Sequence, residues 1–164
     1  MRKIVLGLIL LALLAACGQA PKPLSPELQE LLRLINEKRA SGLDCGGEWQ
    51  SSTQLLISHP LLNHAAQLHA EDMDAAKDVS HDTPVGAVHF SPGTTFSQRI
   101  QSAGYSATYL GENVAGGAPL TTPQDVLDAW IASPPHCKGM MASKYTEAGL
   151  GRSGVYWALD LGGP

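Results

Sequence analysis

Pro60-Leu61-Leu62-Asn63-His64-Ala65-Ala66-Gln67-Leu68-His69-Ala70-Glu71-Asp72-Met73-Asp74-Ala75-Ala76-Lys77 is the segment from which the fold is read. Leu62, Ala65, Ala66, His69 and Met73 fall at i, i+3, i+4, i+7 and i+11, the stripe of a helix with one buried face. Asn63, Gln67, Glu71, Asp74 and Lys77 form its polar side. Upstream, Ser25-Pro26 supplies an N-cap and a first-turn proline for a helix carrying Leu28, Leu31, Leu32 and Ile35 and stopped by Gly42. Downstream, Val79 to Thr95 is rich in Pro, Gly, Thr and His without period, which predicts a long loop of the binding sort.

Beyond that loop, Phe96 to Ala103 predicts a short helix ended by Gly104, and Tyr109 to Val114 a strand. Thr122-Pro123-Gln124-Asp125 has capping-box spacing and opens a helix with Val126, Leu127, Trp130 and Ile131 on one side, ended by Ser133-Pro134-Pro135. Ala148 to Gly151 and Val155 to Leu161 are short apolar runs joined by Arg152-Ser153-Gly154, which predicts a hairpin. Helices early and short strands interleaved later make an α+β layered domain the expected class.

The N-terminus belongs to a different kind of segment. Met1-Arg2-Lys3 is a basic start, Ile4 to Ala16 an apolar run of 13 residues, and Leu14-Ala15-Ala16-Cys17 closes it. The run is short of the ~20 residues a spanning helix needs. Residues 1–16 therefore read as an export signal, and the small residues before Cys17 resemble a lipoprotein box, with Cys17 as the lipid attachment site and mature N-terminus. Residues 17–25, with Pro21 and Pro23, read as a short extended tether, and 26–162 as the folded domain. The expected product is exported and held to the membrane of the cell envelope through acyl chains on Cys17.

The 164-residue chain has a formal charge of -4, which becomes -6 for the side chains once Arg2 and Lys3 are removed. That sign excludes a generic nucleic-acid binder, which needs a basic face to displace counterions. Cys45 and Cys137 remain for the domain, and in an exported protein their one intramolecular pairing is the expectation, with two independent buried thiols as the alternative.

Of six histidines, His69 lies on a helical stripe and reads as core, while His59 and His64 read as loop and helix-surface positions. His81, His89 and His136 sit beside small residues or prolines in expected loops. Glu112 and Glu147 are acids in short apolar strands, where a carboxylate needs a partner, and an imidazole is a natural one. Two histidines and two glutamates could hold a divalent cation such as zinc, or a water for acid–base work, but composition and spacing alone favour a polar network that locks loops to the core. None shows a compact ligand motif such as H-E-x-x-H.

His69-Ala70-Glu71-Asp72-Met73, Ser80-His81, Gly111-Glu112-Asn113-Val114-Ala115, Ala129-Trp130-Ile131-Ala132-Ser133-Pro134-Pro135-His136, Tyr145-Thr146-Glu147-Ala148-Gly149-Leu150-Gly151 and Tyr156-Trp157 occur in that order. Together they resemble the motifs of bacterial CAP (SCP-like) domains over nearly all of residues 26–162. The resemblance implies a three-layer α-β-α sandwich with a cavity lined by two histidines and two acids. Matched position by position, it implies His81, Glu112 and His136, with His89 as a rival to His81. The second acid of eukaryotic relatives falls at Ser133, and Glu147 is the nearest substitute. Cys45 and Cys137 stand where cysteine-bearing bacterial members place theirs. The function implied is a tethered binding or interaction module for a divalent metal or a lipid-like or peptide ligand. The alternative is a cell-surface hydrolase, a peptidase using His81 or His136 as base with Glu112 orienting it, or a metal-activated water, since neither Ser80 nor Ser133 sits in a nucleophile elbow.

Overall fold

The computed structural model describes residues 23–117 and 119–164. The export signal, Cys17 and residues 17–22 of the tether lie outside the described residues. The elements are α1 (Pro26–Ser41), β1 (Leu43–Asp44), β2 (Trp49–Gln50), β3 (Ile57–Ser58), α2 (Pro60–Ala76), α3 (Phe96–Ser102), β4 (Tyr109–Ala115), α4 (Pro123–Ala132), α5 (Pro134–Met141), β5 (Glu147–Ser153) and β6 (Tyr156–Gly163).

Local chemistry sets the helix ends. The Ser25 hydroxyl accepts from the Leu28 N–H and Pro26 opens α1, whose last turn carries Lys38 and Arg39 at the negative end of the helix dipole. His59 caps α2, its Nδ1 accepting from the Leu61 N–H. Thr95 with Gln98 and Thr122 with Asp125 form reciprocal capping boxes on α3 and α4.

The main sheet has the strand order β3-β5-β6-β4, with β3 parallel to β5 and the other pairs antiparallel. Helices α1, α4 and α5 cover one face through Leu31, Ile35, Leu127, Trp130 and Met140, packed on Leu150, Trp157 and Leu159. On the other face, Ala66 and Met73 of α2 meet Val114 and Ala158, and α2 packs Leu62 and Ala65 against Ile100 of α3. The expected three-layer α-β-α sandwich is the fold. Gly149 and Gly151 bring α2 against β5 at backbone distance: a Cβ on Gly149 would lie 2.0 Å from the Leu62 carbonyl carbon.

Three features depart from the expected elements. Ser133-Pro134-Pro135 ends α4 and at the same time starts α5, because a proline that cannot continue a helix is well suited to the first turn of the next. His136 therefore stands in a first helical turn, not in a loop. The β5–β6 turn centres on Gly154-Val155, one residue later than expected, with Gly154 at φ 57°. The two-residue strands β1, β2 and β3 carry no periodic signal because they are too short to have one.

Long-range ties complete the frame. Cys45 and Cys137 are disulfide-bonded, Cα–Cα 5.6 Å, and join the β1–β2 hairpin to α5. The fully buried Arg39 donates to the carbonyls of Gln54, Met140, Ala142 and Tyr145, and burial pulls its pKa down to about 10.

Candidate functional site

Strand β4 is at the edge of the sheet, so loops from both helical layers can meet beside it. Because successive strand residues face opposite sides, adjacent residues of β4 pin the two histidines from opposite layers. Glu112 faces the α2 side and its Oε1 lies 3.0 Å from His81 Nδ1. Asn113 faces the α5 side and donates to the His136 carbonyl at 3.0 Å. The two imidazole centroids are 5.9 Å apart with planes tilted by 46°. Trp130 Nε1 donates to the Val114 carbonyl, covering part of the strand edge.

The Glu112 side chain is only 1% exposed and has more than one partner. Its Oε2 accepts from Arg99 Nη2 at 2.6 Å, and His69 Nε2 is 3.8 Å from the same oxygen. Arg99 is itself buried and donates to the His81 and Thr94 carbonyls and to Thr83 Oγ1, fastening the 81–94 loop to the sheet. Asp160, 2% exposed, stands directly opposite Glu112 in the β4–β6 register.

These surroundings set the charges. Hydrogen bonding to Glu112 raises the His81 pKa above 6.5. Burial, and then the charge of His81, lowers that of His136. Burial also lowers that of His69, whose Nε2 must carry its proton because it meets the Ser80 carbonyl at 2.8 Å. The result is an imidazole pair at the surface with opposite protonation tendencies. His81 leaves only Nε2 free for a ligand, and its side chain is 52% exposed.

The other expected residues go elsewhere. Glu147 accepts from the Tyr105 hydroxyl at 2.7 Å, two strands from β4 and in line with Leu110 rather than Glu112. His89 turns to Glu71, Nε2 to Oε2 2.6 Å, while Asp72 gathers the N–H groups of Val88, His89 and Phe90. His81 is thus the histidine that meets Glu112.

The expected four-residue metal set does not form. Both Glu112 oxygens are engaged, Oε1 by His81 and Oε2 by Arg99, whose guanidinium already balances the carboxylate charge. Among the described residues no three His, Cys, Asp or Glu side chains are grouped to hold a metal ion.

Sequence reasoning missed two of the buried partners, Arg99 and Asp160. Asp160 had the same signal as Glu112, an acid inside an apolar strand, and the same rule would have found it. Arg99 had none, since an arginine on a seven-residue helix reads as surface.

Comparison with known proteins agrees with this architecture. Residues 32–156 match the cysteine-rich secretory protein family, CAP, and the chain belongs to that family. It is 28% identical over 144 residues to the uncharacterised protein YkwD of Bacillus subtilis strain 168, covering 87% of this chain and 49% of the relative. The chain therefore spans about half the length of that curated relative. An extracellular SCP-domain protein of Bacillus anthracis superposes with a TM-score of 0.68 at 21% identity, covering 87% of this chain and 45% of the other. An outer surface protein of Borrelia burgdorferi gives 0.67 at 20%, covering 84% and 92%.

Proposed function

We propose that this CAP domain is an exported binding module that presents His81 and His136 as a ligand-contacting pair. The observation that carries the reading is the division of labour around Glu112. Its carboxylate is buried and neutralised by Arg99, which suits it to orienting His81 rather than to acting as a base. With Nδ1–H given to Glu112, His81 offers Nε2 as an acceptor when neutral and as a donor when protonated, and the neutral His136 beside it can donate or accept. Such a pair suits the carbonyl and carboxylate groups of an extended peptide. An open depression of about 590 Å³ lies elsewhere, between α1, β3 and the start of α2, and is lined by Leu24, Leu32 and Pro60.

Titrating the purified protein with a defined mixture of short peptides, and separately with phospholipid vesicles, tests this by NMR of the imidazole resonances. Peptide-induced shifts of His81 and His136 that vanish in His136→Ala are expected. Shifts with vesicles alone would move the ligand class to lipid headgroups, and no shift in either arm would sink the reading.

The split protonation of the pair also suits an acid–base hydrolase. Among the described residues, however, neither imidazole is hydrogen-bonded to a serine, threonine or cysteine nucleophile.

Lipid anchoring through Cys17 belongs to the same proposal. The names of the Bacillus anthracis and Borrelia relatives support an extracellular or outer-surface placement. Among the described residues no helix is long and apolar enough to cross a membrane. A Cys17→Ser chain is expected to leave the membrane fraction on cell fractionation, and retention there would refute the lipid anchor.

A further inference from the structure

Two buried carboxyl groups, Glu112 and Asp160, share one face of the sheet, and the number of cations around them is smaller than the number of acids. The β4–β6 register pairs their Cα positions directly. Arg99, on α3, gives Nη2 to Glu112 and to the His81 carbonyl, and Nη1 to Thr83 and Thr94. None of these donors reaches Asp160. His69, on α2, is buried, its Nε2 bonded to a carbonyl and its Nδ1 without a partner among the described residues, so it adds no positive charge. On the other flank Asp160 is paired with Gly149, which is pressed against the α2 backbone and brings no side chain. The 81–94 loop contributes His81, whose Nδ1 is taken by Glu112.

Among the described residues, Asp160 Oδ1 has no hydrogen-bond partner. An ionised carboxylate buried in that state costs several kcal/mol, and the ready remedy is to keep the proton. The proton then has one evident acceptor, the Glu112 carboxylate opposite. We infer that Asp160 is a positioning residue: it remains a neutral acid, donates a hydrogen bond to Glu112, and so holds the Glu112 carboxylate on His81. Burial first, and then the negative charge of Glu112, push the Asp160 pKa well above the usual carboxylate range, in keeping with this assignment. The cluster then balances, with one guanidinium against one carboxylate, and His81 meets a carboxylate held by Arg99 and Asp160 rather than a free one.

This deepens the reading of His81 as a ligand contact, but its test uses no ligand, so the two can fail separately. In the purified full chain, the Asp160 carboxyl carbon should show the acid-form NMR shift and stay flat between pH 5 and 8; a titration with an ordinary carboxylate midpoint would overturn the proposal. Asp160→Asn, which remains neutral and can still donate, should leave the His81 midpoint within a few tenths of a pH unit. A fall of about one unit would mean that a negative charge had been removed, and would overturn it too. Asp160→Leu, which cannot donate, should move the His81 midpoint down towards 6.5 and weaken its Nδ1–H tautomer preference, read from imidazole nitrogen shifts. An unchanged His81 in that variant would refute the positioning role. If Asp160→Leu does not fold, the carboxyl titration and Asp160→Asn still decide.

Discussion

Glu112 illustrates how a residue's neighbours assign its chemistry. A carboxylate that is 1% exposed survives ionised because Arg99 stands at 2.6 Å and His81 at 3.0 Å. Breaking such a buried pair costs ~3–5 kcal/mol, mostly through the charge left behind. Glu112→Gln, which strands Arg99, should lower urea-denaturation stability on that scale and bring the His81 midpoint down towards 6.5. The pH dependence has a definite sign. Because the folded His81 pKa is raised, its contribution is fully present below 6.5 and is lost as pH rises through the folded value. His136 and His69 act oppositely: their folded values are lowered, so their contributions are present above 6.5 and lost as pH falls. The difference between wild-type and Glu112→Gln stability, measured from pH 5 to 9, carries the His81 part together with the weaker attraction of Glu112 for a protonated His69. It should shrink towards the alkaline end.

At the scale of elements, the contact between α2 and β5 depends on missing side chains. Gly149 faces Leu62 and Asn63, and Gly151 faces Ala66 and Gln67, at distances no Cβ tolerates. Gly149→Ala must therefore lift α2 from the sheet. Overpacking of this kind costs ~1–3 kcal/mol and can exceed that where backbone is the obstacle. Thermal denaturation should show the loss, and an unchanged melting temperature would mean that the close approach is not needed. The helices were legible because their signals are local: Ser25-Pro26 and Thr122-Pro123-Gln124-Asp125 carry their caps within one turn. Helix α5 was not, because two prolines that end one helix also begin another, and local sequence does not separate the roles.

For the whole molecule, the Cys45–Cys137 bridge spans 92 residues and ties the β1–β2 hairpin to the helix that carries His136. The chain-entropy account gives roughly 4–5 kcal/mol for a loop of this length, with measured losses for native bridges of about 2–5 kcal/mol. A Cys45→Ala, Cys137→Ala protein should lose stability in that range by urea denaturation. A loss under about 0.5 kcal/mol would mean that the hairpin is held by packing alone.

The sequence by itself determined the class of fold, the main helices, and a short list of acids and loop histidines, Glu112, Glu147, His81, His89 and His136, from which the site draws. These follow from periodicity, capping and burial cost, which act over a few residues. Only the tertiary structure decided the company each residue keeps. Strand register set Asp160 opposite Glu112, strand order left Glu147 with Tyr105, and loop anchoring by Asp72 sent His89 to Glu71. Partner choice depends on which face and which strand a side chain reaches, and those are fixed by contacts between segments far apart in the chain.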